Sequence, residues 1–349
     1  MGKAFIKEET LTAIGDAIRA KTGETAAMLP SAMAGAITNM KTGFPNGTKW
    51  EDNGLDLNFF APFYFDGIWI AGDFTNGVYW SNNGKEWNIS NLVGISNNDC
   101  NHANGLFVLA AYDNGLYYSG DGKTWTRSNI TSGNFYRISF ANGLWFAGSN
   151  DGLYYSPDGK SWTKSNISAV MVYRNVVYAH NLWLCGTWDG IYYSTNGKTS
   201  WTKCYSESYC STIHYYNGTF VCCRGADLNS LLYSTDGINW HDNLSSLNGQ
   251  ANSVICVDGL WIAVFLSGRN GIWYSTDGKN WTQSNITNKC YDVCYHNGLF
   301  IALGDNCFYY SDDGKAWTKI NATGSGAGII RFGNGIWVCG KLYSIAWEL

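Results

Sequence analysis

The stretch "GLYYSPDGKSWTKSNIS" occupies residues 152–168. Near copies, "GLYYSGDGKTWTRSNIT" and "GIWYSTDGKNWTQSNIT", occupy residues 115–131 and 271–287. Self-similarity at a fixed spacing is read before any local propensity, because it sets the architecture. Aligned on tryptophan, the repeat extends to Trp50, Trp87, Trp125, Trp162, Trp201, Trp240, Trp281 and Trp317. Between successive tryptophans lies a second landmark, a turn dipeptide followed by an aliphatic or threonine and then an aromatic. It reads DGIW from Asp66, NGLF from Asn104, NGLW from Asn142 and HNLW from His180. It continues as NGTF from Asn217, DGLW from Asp258, NGLF from Asn297 and NGIW from Asn334. A period of about 38 residues suits a four-stranded propeller blade.

One unit resolves into four short strands. Tyr136–Ala141 is the first. Asn142-Gly143 then makes a type I′ turn, whose two central residues both need positive φ. Leu144–Gly148 is the second strand and Leu153–Ser156 the third. Asp158-Gly159 turns again into Trp162–Ser165, the fourth. The turn Ser-x-Asp/Asn-Gly-Lys-x-Trp occurs seven times, on Asn83, Asp121, Asp158, Asn196, Asp236, Asp277 and Asp313, with Ile238 in place of lysine once. The C-terminal "NGIWVCGKLYSIAWEL" supplies the second and third strands of an eighth unit and then stops. Its missing fourth strand stands at the other end, as "GTKWED" around Trp50. The expected fold is an all-β, eight-bladed propeller spanning 44–349, closed by its N-terminal strand. Such closure removes an exposed sheet edge.

Composition agrees and excludes several classes. Aromatics are 16% and charged residues 14%, against about 25% charged in an ordinary domain. A net charge of −4 lacks the basic stripe of a nucleic-acid binder. No apolar run reaches the roughly 18 residues of a membrane span, and Met1 to Glu9 lacks the apolar core of a signal peptide. The eleven cysteines include Cys185, Cys222, Cys256, Cys294 and Cys339 inside apolar strand-like runs. With no CxxC pair they read as buried free thiols. No Cys/His cluster has metal-ligand spacing, and no cofactor motif appears.

The repeated turn resembles the Asp-box of sialidases and other BNR-type propellers, Ser-x-Asp-x-Gly-x-Thr-Trp. It is one residue shorter here in most copies; Ser194 to Trp201 has the full spacing. Its physical role is local: the carboxylate accepts N–H bonds within its own turn, and the tryptophan packs between blades. The "SNIT" and "SNIS" segments match a glycosylation sequon but read as repeat consensus. Function is expected where the repeats disagree. The first-to-second and third-to-fourth strand turns share one face and are uniform. The other face carries the irregular loops, with Phe74, Tyr112, Asp113, Trp188, Asp189, Tyr209, Arg224, Asp227 and Arg269. Aromatics beside Asp and Arg suit a carbohydrate platform, with rings on sugar faces and charged groups on hydroxyls. Arg137, Arg174 and Arg331 fall on first strands, where the resemblance suggests a sialidase-like arginine set. Asp99, level with Arg137 on the neighbouring blade, is expected to pair with it instead. Hydrolysis of that type also needs a Tyr nucleophile with Glu and an acid/base Asp. Glu is scarce: Glu51, Glu86, Glu207 and Glu348. No enzyme is expected. His180, His214 and His296 read as channel-lining or core residues.

Residues 1–43 differ, being rich in Ala, Ile, Thr and Lys without Trp or Cys. Thr10 and Ser31 read as N-caps, Gly23 and Gly43 as stops. Leu11, Ile14 and Ile18 share one helical face, Met33, Ile37 and Met40 another. Two such helices bury too little surface alone. "TLTAIGDAIRAKTG…MLPSAMAGAI" resembles a segment of phage and prophage tail and tail-fibre proteins. That resemblance implies a virion location, attachment to other tail proteins or to further copies of the chain, and a receptor-binding role toward a bacterial surface glycan or protein. No membrane insertion is expected.

Overall fold

The computed structural model describes residues 51–52 and 59–346, apart from 74–75, 169–171, 173–175, 207–208, 226–229, 244–246, 248, 269–270, 297, 306, 322–328, 334–335 and 340–344. The helical reading of residues 1–43 therefore lies outside the described residues.

Seven four-stranded antiparallel sheets follow one another along the chain, at 59–93, 97–127, 135–168, 176–205, 210–242, 249–283 and 290–321. Within each, strand order equals sequence order, so every connection is a hairpin. In the third sheet the strands are Phe135–Ala141, Leu144–Ser149, Gly152–Ser156 and Thr163–Ser168, within a few residues of the sequence reading. Two two-stranded pairings complete the described set. Ile330–Gly333 pairs with Ile336–Cys339, and Glu51–Asp52 pairs with Ile345–Ala346. First strands touch those of the next sheet in chain order, and Ile330–Gly333 lies against Phe59–Phe65, so the cycle of first strands closes.

The turns are built as their residues demand. Asp66, Asn104, Asn142, Asn217 and Asp258 all have φ between 42° and 52°, each followed by a positive-φ glycine. His180 and Asn181, at 51° and 58°, manage the same turn without glycine. Directly beyond most of these turns sits a cross-strand aromatic pair, as Phe140 against Trp145 with centroids 5.0 Å apart, or Tyr178 against Trp183 at 4.4 Å; beyond Asp258 the pair is Cys256 with Trp261. Such pairs stabilise a hairpin and fix its register.

The third-to-fourth strand turns repeat one hydrogen-bond pattern. At Asp158, Oδ1 accepts the N–H of Lys160 (2.9 Å) and Ser161 (2.8 Å), while Ser156 Oγ accepts the N–H of Gly159 (2.8 Å). Gly159 has φ +71°, and a Cβ there would come within 2.7 Å of Leu106 Cδ2 on the preceding sheet. Trp162 donates its ring N–H to Gly159 O and is buried.

The core lies in wedges between consecutive sheets. One cluster joins Ile70 and Val78 of the first sheet to Leu109 and Trp125 of the second; another joins Leu116 of the second to Trp145 and Trp162 of the third. Trp69 and Val338 are fully buried together, packed by Tyr64 and Trp87, where the last hairpin meets the first sheet.

Neighbouring sheets are also joined by a connection that sequence reading left as mere consensus. Asn129 Nδ2 donates to Trp162 O (3.0 Å), and Trp162 N donates back to Asn129 Oδ1 (2.8 Å). Asn91 does the same to Trp125, Asn166 to Trp201 and Asn285 to Trp317. The asparagine of "SNI" is thus a two-way staple to the backbone of the next sheet. Its amide is occupied on both sides in the folded ring.

Candidate functional site

The uniform face needs no ligand to explain its residues, because the turns satisfy themselves. The irregular face differs most at the seam between the fourth and fifth sheets. The staple position there, four residues after Trp201, is Tyr205 rather than asparagine. Arg224, at the end of Thr219–Arg224, donates to Tyr205 Oη (2.8 Å) and to Asp242 Oδ1 (3.2 Å). A buried guanidinium with a carboxylate partner avoids the cost of an unpaired charge. Tyr205–Arg224–Asp242 therefore takes over from the missing amide.

Above this seam stands an aromatic pair. Trp188, in the turn after Leu182–Thr187, is 58% exposed, the most open tryptophan among the described residues. Its ring meets that of Tyr209 at 5.1 Å and 50°. Tyr209 in turn covers Gly225, where a Cβ would collide with Cδ1 at 2.2 Å. Tyr209 O also accepts the Gly225 N–H at 3.1 Å. The tyrosine is thereby fixed on the fifth sheet and leaves the indole a rigid wall to lean on.

Asp189, next to Trp188, is held within its own blade. Oδ1 accepts from Thr187 Oγ1 (2.7 Å), and Oδ2 accepts from Tyr192 Oη (3.3 Å) and from Lys203 Nζ. Burial opposes ionisation, but Lys203 and the hydroxyls hold the carboxyl below its ordinary value. The third sheet has the same device in Ser149, Asp151, Tyr154 and Lys164.

The sequence-derived site residues thus divide. Trp188, Asp189, Tyr209 and Arg224 converge on one seam, Asp189 and Arg224 as its supports. Tyr112, 45% exposed, and Asp113, with φ +59° and its N–H on Asn134 Oδ1, sit on the second sheet. Phe74, Asp227 and Arg269 lie outside the described residues, as does Arg174. The role of Tyr205 was missed; its signal was the break in the Asn series.

A second feature is an axial cavity of about 800 Å³ lined by first strands. Arg137 pairs with Asp99 (3.4 Å) as expected, and Arg331 pairs with Asp292 (2.8 Å). Burial pushes the Asp99 carboxyl up, against the pull of Arg137 and of the Ile138 N–H at 2.7 Å. His214 lines the same cavity, and burial holds it below its ordinary value. His180 hydrogen-bonds Tyr215 Oη at 2.6 Å, and His296 stacks on Phe332 at 3.8 Å. Among the described residues no three His, Cys, Asp or Glu side chains group to hold a metal ion. Ten cysteines, from Cys100 to Cys307, are free thiols, seven of them buried.

No protein-family model and no curated protein sequence matches the chain. Solved structures do resemble it. BamB from Moraxella catarrhalis superposes with a TM-score of 0.64 at 9% identity, covering 86% of this chain and 98% of that one. Sqt1 from Saccharomyces cerevisiae gives 0.64 at 10% identity, with the same coverage of 86% and 98%. YCF48 from Cyanidioschyzon merolae gives 0.54 at 13%, again over 86% and 98%. At such identities the likeness speaks for the fold alone: the chain is a β-propeller.

Proposed function

We propose that this protein is a non-enzymatic adhesin of a phage or prophage tail, which binds a bacterial surface glycan at the seam between its fourth and fifth blades. The observation that carries the reading is the exposed Trp188 ring braced by Tyr209. A flat apolar surface held at a fixed tilt suits the C–H face of a sugar ring, and the immobilised tyrosine lowers the ordering cost of binding. Among the described residues, Asp189, beside Trp188, and Asp242, on Arg224, are each committed to a cation, which supports recognition rather than acid/base chemistry. The tail assignment rests on the resemblance of residues 10–37 and on the repeated turn text.

The propeller of this reading has eight blades. Ile330–Gly333, Ile336–Cys339 and Ile345–Ala346 make the first three strands of the last blade, and Glu51–Asp52 makes the fourth. Support comes from the antiparallel register Glu51 to Ala346 and, in the sequence, from Asn321, which stands four residues after Trp317 as the staple asparagines stand after theirs.

The test is binding of the full chain and its variants to host cells and a glycan panel. Trp188→Ala and Tyr209→Ala should each weaken binding about ten-fold or more, as at a hot spot, with the melting temperature within a few degrees of wild type. Tyr112→Ala reports whether the site extends to the second blade. Unchanged binding in the Trp188 and Tyr209 variants, or its loss in Asp158→Ala, would refute the seam.

A further inference from the structure

We infer that the uniform face of the ring docks the chain's own N-terminal segment, residues 10–40, on an aromatic rim around the axial cavity. Three observations converge on that face.

First, its rim carries exposed rings, of which Tyr295 also pairs with Phe300 across its own hairpin at 4.6 Å. Tyr216 and Tyr295 stand immediately before or one residue before their turns, 37% and 36% exposed. Tyr216 reaches over the next blade's turn, where a Cβ on Gly259 would lie 3.6 Å from its Cε1. His296 and Phe332 stack beside Tyr295, and Val257 and Tyr295 line the cavity below. The fifth to seventh blades and the last hairpin together give one apolar arc.

Second, the chain arrives on this side. Fourth strands begin at the face of the third-to-fourth strand turns and run away from it. Glu51 pairs with Ala346 and Asp52 with Ile345, the same sense as Thr163 with Tyr155 and Lys164 with Tyr154. Whatever precedes Glu51 therefore leaves from the uniform face.

Third, the reach is sufficient. From outermost to innermost strand is three spacings of about 4.8 Å, roughly 14 Å. Residues 41–50 can span up to about 30 Å. The segment before them carries Leu11, Ile14, Ile18, Met33 and Ile37 at helical spacing and cannot bury them alone. Docking on the arc would leave the irregular face open.

Limited trypsin digestion of the full chain tests this at Arg19 and Lys21. Cleavage of wild type should be at least ten-fold slower than that of Ile14→Asp, at a rate independent of protein concentration. Tyr216→Ser should speed it toward the Ile14→Asp rate with the ring's melting temperature within a few degrees of wild type. Hydroxyl-radical labelling of wild type gives a second readout: Tyr216 and Tyr295 should gain label several-fold once the segment is cut. Equal cleavage of wild type and both variants would overturn the inference. So would label unchanged by the cut, or protection that rises with concentration and so comes from another chain. The seam at Trp188 is untouched by these variants, so each proposal can fail without the other.

Discussion

Replacing Asn129 by alanine removes two hydrogen bonds between the second and third blades, at 3.0 and 2.8 Å, and leaves the Trp162 backbone N–H and C=O without them. Each bond contributes about 0.5–1.5 kcal/mol net, and a buried group left unsatisfied costs more than the bond itself. The partly buried site gives about 2 kcal/mol for Asn129→Ala. Near its midpoint a ring of this size has an unfolding entropy on the order of 0.6 kcal/mol/K, so the melting temperature should fall by about 3 °C. Asn129→Asp keeps the acceptor and loses the donor, and should fall between alanine and wild type. The four described staples stand on different blades, too far apart to share partners, so their effects should add. Replacing Asn91, Asn129, Asn166 and Asn285 together should cost about 8 kcal/mol, comparable with the whole stability of a typical domain. Urea unfolding followed by tryptophan fluorescence reads this as a shift of midpoint at constant slope. A single variant within 0.3 kcal/mol of wild type, or a quadruple variant that melts like a single one, would show that the staples follow from blade packing and do not hold it.

The carboxyls of the third-to-fourth strand turns set an acid limit. At Asp277 burial acts upward, but the N–H groups of Asn280 and Lys279 hold the carboxyl down at about 2, and the N–H of Ser161 leads in lowering Asp158. A depressed carboxyl contributes stability above its unfolded value near 4 that is lost as pH falls through the folded value. The melting temperature should stay flat from pH 7 to about 5 and drop between about 4 and 2, and Asp277→Asn should reduce that drop; an unchanged drop would locate the acid sensitivity elsewhere. Trp162→Ala should cost about 3 kcal/mol or more through the cavity it leaves between blades, measured by the same urea series. Burial pushes the Cys204 and Cys256 thiols up to about 12. In the native state at pH 8 the seven buried cysteines should resist a thiol reagent that labels them in urea; fast native labelling of these would contradict their burial.

Strand order, turn positions and the wedge packing of the tryptophans were legible because each is written in local chemistry. Asn142-Gly143 can be read as a turn from two residues, and Asp158 satisfies bonds within three residues of itself. What the sequence hid depends on a partner one blade away. Asn129 in "SNIT" differs in no local respect from a consensus filler, and its partner is the backbone of Trp162, which any residue would supply. Arg224 looked like an exposed loop cation because nothing near it in sequence reveals Tyr205 and Asp242 as its neighbours. Asp189 could have been read correctly, since "SNDG" at Ser149 and "TWDG" at Thr187 occupy equivalent places, each with a lysine on the fourth strand of its sheet. The Trp188–Tyr209 contact joins two loops of different blades, which only the ring's geometry brings together.

The pairing of Glu51–Asp52 with Ile345–Ala346 has a consequence for molecules at high density. The strand that joins the two ends is covalently tied to its acceptor only through the entire length of the chain, and an identical strand sits on every neighbouring molecule. Its own copy wins while the tethered effective concentration, on the order of millimolar for short flexible linkers and lower through longer ones, exceeds that of its neighbours. Folding in isolation thus gives self-contained rings. Folding while many copies emerge side by side favours exchange of this strand, linking one molecule to the next without a single new contact. The order in which copies fold and gather would then decide whether they separate as individuals or stay interlocked.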